Sequence, residues 1–161
     1  MTSTLTATRP RWPGASLSGA PTLHRITICA AGRERLLGVV SEGAVALSPA
    51  GRVVQVEWLR TAYLRPAVQL DRFVIMPDHF HAILGFDESE SNGSLASIIA
   101  GFKAGSALRI NQLRGTPGGA VWQRQYRREV LHPMELVRAR AHLLANPERW
   151  MERGLVPAPS R

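Results

Sequence analysis

The sequence predicts an α+β fold, a ferredoxin-like antiparallel sheet with helices packed on it. Three observations point there. Several segments alternate apolar and polar residues in strand fashion, others repeat apolar residues at helical spacing, and 161 residues with 45% apolar content suffice for one compact core but not two.

The elements follow in order. Residues 1–22 mix Thr, Ser, Pro, Gly and Ala with few large apolar side chains, which predicts a flexible basic arm ahead of a folded domain over 23–155. "HRITICA" reads as a strand, and "RLLGVV" and "AVALS" form a hairpin about Ser41-Glu42-Gly43. Ser48 before Pro49 is a helix start, with Val53, Val54, Val56 and Trp58 on a broad apolar side. "AVQLDRFVIM" and "FHAILGF" read as two strands about Pro77-Asp78. Ser94 begins a second helix in which Leu95, Ile98, Ile99, Phe102, Ile110 and Leu113 recur at helical spacing, ended by the Gly115–Gly119 loop. A short strand near "RREVL" precedes a helix from Pro133, which stops near Asn146-Pro147 because the residue before proline resists helical geometry. In that helix Val137, Ala141 and Leu144 form the expected apolar stripe, and residues 156–161 read as a frayed tail.

Charge and cysteine content narrow the function classes. Twenty Lys plus Arg against twelve Asp plus Glu give a formal net charge of +8, which favours polyanionic partners, although nineteen of the twenty are Arg and an arginine-rich composition alone would have the same effect. A single cysteine, Cys29, rules out an internal disulfide and a multi-cysteine zinc site. With no signal-peptide core and no run near the roughly 18 apolar residues that span a bilayer, a cytoplasmic protein without a membrane partner is expected.

Two clusters carry chemistry. His79 and His81 flank Phe80 on a strand, so both imidazoles leave one face while Phe80, Ala82 and Leu84 leave the other. Such a pair can share a divalent cation, act catalytically, or simply sit satisfied at a surface. The second cluster, Trp122, Arg124, Tyr126, Arg127 and Arg128, pairs guanidinium charge with flat rings that can stack on unpaired bases. Its plainer alternative is a core Trp122 beside solvated arginines. Lys103 and Arg109 on the second helix are candidate phosphate contacts.

The ordered run of "HRITICAAGRERLLG", "VEWLRTAYLRPAVQLDRFVIMPDHFHAILGF", "SLASIIAGFKAGSALRINQLRGTPGGAVWQRQYRREVL" and "ANPERW" resembles the tyrosine HUH transposases, the group that includes the REP-associated transposases. The resemblance spans residues 23 to about 155. It implies a divalent metal, Mg²⁺ or Mn²⁺, held by His79, His81 and Asn146, with single-stranded or hairpin DNA as partner. A tyrosine one helical turn before the third ligand attacks the scissile phosphate in that family and leaves a 5′-phosphotyrosyl link. Here that position is His142, and residues 142 and 146 share a helix face with Glu135 and Arg138.

This departure leaves several outcomes. His142 can serve as a general base for water, as a third imidazole on the metal, or as a solvated residue of an amphipathic helix. Tyr126 is an alternative nucleophile, whereas Tyr63 reads as structural. The expected function is transposase-like metal-assisted DNA cleavage or strand transfer. Its rivals are a non-catalytic, domesticated DNA-binding module and an RNA-directed nuclease, and a homodimer completing its sites in cis or in trans is compatible with the resemblance.

Overall fold

The computed structural model describes residues 21–86 and 93–155. Nearly all of the expected N-terminal arm and the whole C-terminal tail lie outside the described residues. Strand β1 (Thr22–Cys29) opens two residues before "HRITICA". A short hairpin, β2 (Gly38–Ser41) and β3 (Ala44–Leu47), turns through Glu42 and Gly43, both at positive φ (51° and 73°), as a two-residue hairpin turn requires.

Helix α1 (Pro49–Leu64) starts where the sequence says, since the Ser48 hydroxyl accepts the Gly51 N–H at 3.0 Å and Pro49 needs no N–H there. Strands β4 (Val68–Met76) and β5 (His79–Phe86) form a hairpin across Pro77-Asp78, with Met76 opposite His79. Helix α2 (Leu95–Arg114) is capped by Ser94 and Ser97 reciprocally and ends on Gly115 in the left-handed conformation. Strand β6 (Arg127–Leu131), helix α3 (Leu136–Leu144) and helix α4 (Asn146–Leu155) complete the described chain.

The four-stranded sheet runs β4-β5-β1-β6 and is antiparallel throughout. Leaving the β2–β3 hairpin aside, the order β1, α1, β4, β5, α2, β6 is the β-α-β-β-α-β arrangement of a ferredoxin-like fold, so the α+β fold class holds. Alternation along β5 sorts the two faces. Phe80, Ala82, Leu84 and Phe86 enter the main core beneath α1 and α2, where Trp58 meets Phe80 and Phe102 edge-on at 5.0 and 5.1 Å. Ile83 points the other way and joins Leu23, Leu131, Ala139 and Leu143 in a smaller cluster under α3.

Two expectations need correction, and a third holds with an addition. The α3 stripe is not Val137, Ala141 and Leu144, which are exposed (Val137 73%, Leu144 59%), but Ala139 and Leu143 with Leu136 beside them. Arg140 fixes that rotation: its guanidinium forks onto buried Asp71 at 2.9 and 2.5 Å, at the bulge where β4 shifts register between Leu70 and Phe73. Helix α3 does stop beside Asn146-Pro147, at Leu144, and a further helix begins at Asn146, because proline in a first turn forfeits no hydrogen bond. Lastly, Val56 (54% exposed) and Leu113 (59%) stand outside the core their spacing assigned them to.

Candidate functional site

The β5 register brings His79 and His81 onto the sheet face opposite Phe80, their ring centroids 4.6 Å apart and nearly perpendicular. Each ring is held through Nδ1. His79 Nδ1 lies 2.6 Å from Asp78 Oδ1, and His81 Nδ1 lies 2.7 Å from the Thr27 hydroxyl on the neighbouring strand β1. A carboxylate only accepts, so His79 carries a proton on Nδ1, and its neutral form has the lone pair on Nε2. Burial, reinforced by neighbouring His79, His142 and Arg25, pushes the His81 imidazole from 6.5 down to about 3, so its ring is neutral near pH 7.

Above this floor stand α3 and α4. His142 closes α3 and Asn146 opens α4, and both line one cleft of about 710 Å³ with His79, His81, Thr27 and Tyr126. The buried Ala139–Leu143 face and the Arg140–Asp71 pair lock α3 so that His142 turns toward the cleft. The Asn146 amide nitrogen donates to the His142 and Leu143 carbonyls at 3.0 and 3.1 Å, which leaves its oxygen as the candidate ligand. Arg149, one turn into α4, places Nη1 3.0 Å from His142 Nδ1. Trp150 lies 6.0 Å from the His79 ring, and Arg35 lies over its indole at 5.3 Å.

This donor set fits a divalent cation in one respect and limits it in another. Two imidazoles with Nδ1 tied to a carboxylate or a hydroxyl are held as metal-binding histidines are, with the ring turned so that Nε2 can meet a cation. Among the described residues, however, no three His, Cys, Asp or Glu side chains gather as a metal cage. Such a cation would rest on His79, His81 and the Asn146 carboxamide, with water or substrate oxygens completing it, a mixed nitrogen and oxygen set that suits Mn²⁺ at least as well as Mg²⁺.

The remaining candidates divide. Tyr126 and Arg127 line the cleft, and Arg127 sits opposite Thr27 on the histidine face while Arg128 projects from the other. Arg124 is exposed outside it. Trp122 does not offer a stacking surface: it is 8% exposed, packs in the main core near Phe102 and donates its indole N–H to Ser106 at 2.9 Å. Lys103 and Arg109 are committed to the fold. The Lys103 ammonium donates to the Gln123 and Arg124 carbonyls at 2.7 and 2.9 Å, and Arg109 pairs with buried Glu57 at 2.8 Å across α1 and α2. A cation tied in that way is a poor phosphate contact.

Residue-level reading missed Asp78, Thr27, Arg33, Arg149 and Trp150. Asp78 was legible, being next to His79, whereas Thr27 depends on a strand register that no local pattern reveals.

No family model matches the chain. An uncharacterised protein of Haemophilus influenzae is 26% identical over 145 residues, covering 78% of this chain and 79% of that one. Among solved structures, a REP-associated tyrosine transposase bound to a REP hairpin superposes with a TM-score of 0.59 at 14% identity, over 84% of this chain and 72% of that chain. A candidate transposase from Deinococcus radiodurans R1 superposes at 0.51 and 16% identity, over 80% and 93%. The chain has a transposase-like α+β fold, with an antiparallel sheet and four α-helices among the described residues. Among the described residues no helix is long and apolar enough to cross a membrane.

Proposed function

We propose that the chain acts on single-stranded or hairpin DNA through a divalent cation in the β5–α3–α4 cleft, cleaving phosphodiester bonds with His142 where related transposases carry their tyrosine. One observation carries the reading. His79, His81, His142 and Asn146, drawn from a strand and a distant helix junction, line one cleft, and both strand histidines are anchored through Nδ1. Mg²⁺ or Mn²⁺ bound there supplies Lewis-acid polarisation of a phosphate oxygen.

The chain's own groups do the rest. Arg127 and Arg149 make no carboxylate ion pair among the described residues, and both line the cleft, where they bind and orient phosphate. An imidazole in place of a phenol favours taking a proton from water over forming a reversible ester link, so hydrolytic nicking is expected and strand transfer is weakened. A non-catalytic binder is the second reading. It is favoured by the Arg149 guanidinium at His142, which engages the nitrogen a base would use.

The test is a 3′-labelled hairpin with single-stranded flanks, incubated with purified full-length protein and Mn²⁺. Wild type gives nicked product with no covalent adduct, His79→Ala abolishes it, and His142→Tyr yields an adduct. Hairpin binding with no product in any variant establishes the second reading, and failure to bind the hairpin at all removes both.

A further inference from the structure

The two strand histidines are backed unequally, and the inequality has a chemical consequence. It rests on the proposed role of His79 and His81 as metal ligands. We infer that Asp78 is a positioning residue that makes His79 the anchoring ligand of the pair, while Thr27 orients His81 without strengthening it.

Asp78 sits in the two-residue turn between β4 and β5 and is 6% exposed. Its own carbonyl takes the Ala30 N–H at 2.9 Å, which ties the turn to the end of β1. One carboxylate oxygen holds His79 Nδ1 at 2.6 Å, and the other meets Arg33 Nε at 3.1 Å. Arg33 thus offsets the cost of burying the charge and fixes the carboxylate plane. A negative acceptor on Nδ1–H raises electron density at Nε2, the nitrogen that faces a cation. Thr27 instead presents a neutral hydroxyl, 2.7 Å from His81 Nδ1, which holds the ring but adds no charge. Along the sheet the two supports come from different places: the turn before His79, and the strand residue opposite His81.

Two measurements on the full chain test this. The first needs neither metal nor variant: long-range ¹H–¹⁵N correlation of the imidazole nitrogens in metal-free protein. His79 is expected as the Nδ1–H tautomer, and an Nε2–H tautomer overturns the inference. The second is titration with Mn²⁺ alone. Asp78→Asn, which keeps the shape and removes the charge, is expected to weaken Mn²⁺ binding by about 10- to 100-fold, the range for outer-shell partners of metal histidines, and Thr27→Val by clearly less. Equal losses, or no loss in Asp78→Asn, also overturn it. Wild type that binds no Mn²⁺ sinks the metal reading itself, while the tautomer still decides whether Asp78 orients His79.

Discussion

The two faces of the sheet are built on different principles. Beneath α1 and α2 the contacts are apolar and redundant: Trp58, Phe80 and Phe102 interlock, with Ile26, Ile28, Ile98 and Ile99 fully buried around them. On the other face α3 rests on a small apolar cluster and one ion pair, and the rest of the surface is a polar cleft. The first face supplies stability without chemistry. The second spends little apolar area, which is why imidazoles, an amide and guanidinium groups can line its cleft, and why its geometry depends on a few directional bonds.

That contrast can be broken from either side. Trp58→Ala removes the centre of the aromatic cluster and is expected to cost about 3–5 kcal/mol of unfolding free energy in a urea titration; a loss under 1 kcal/mol would mean the core is not there. Asp71→Ala severs the clamp on α3. Its expected cost is smaller, about 2 kcal/mol, since Arg140 can turn to solvent while a charge-assisted bond is lost, but nicking or hairpin binding should fall along with it because α3 carries His142. Smallest in energy is a test between arginine and lysine. Arg127→Gln should weaken hairpin binding and lower the slope of log K against log salt by about 1, as loss of one phosphate contact does. Lys103→Met should leave that slope unchanged, since its ammonium already serves two carbonyls.

How much of this was legible in the sequence differs between the faces for a physical reason. The core face follows from local rules. Period-two alternation placed Phe80, Ala82 and Leu84 together, and Ser48-Pro49 and Ser94 marked helix starts that the capping bonds reproduce. On the cleft face the i, i+2 spacing put His79 and His81 side by side, and the i, i+4 spacing put His142 and Asn146 at one helix junction. Whatever depended on a long-range partner was lost. The rotation of α3 obeys Asp71, sixty-nine residues earlier in the chain, and not its own stripe. Local sequence leaves Trp122 open between a stacking ring and a core side chain, because arginines surround it, while in space it packs in the main core and bonds Ser106. Pro147 marked an end to α3 correctly but says nothing against a new helix starting in its own first turn.

All of the proposed chemistry depends on one cation sitting between the two strand imidazoles. Electron–nuclear resonance of Mn²⁺ added to the metal-free protein reads this directly, through hyperfine coupling to ligand nitrogens. The account predicts one bound Mn²⁺ per chain coupled to two histidine nitrogens, with one coupling lost in His79→Ala and the other in His81→Ala. Mn²⁺ bound with no imidazole coupling, or couplings that survive both substitutions, would contradict it.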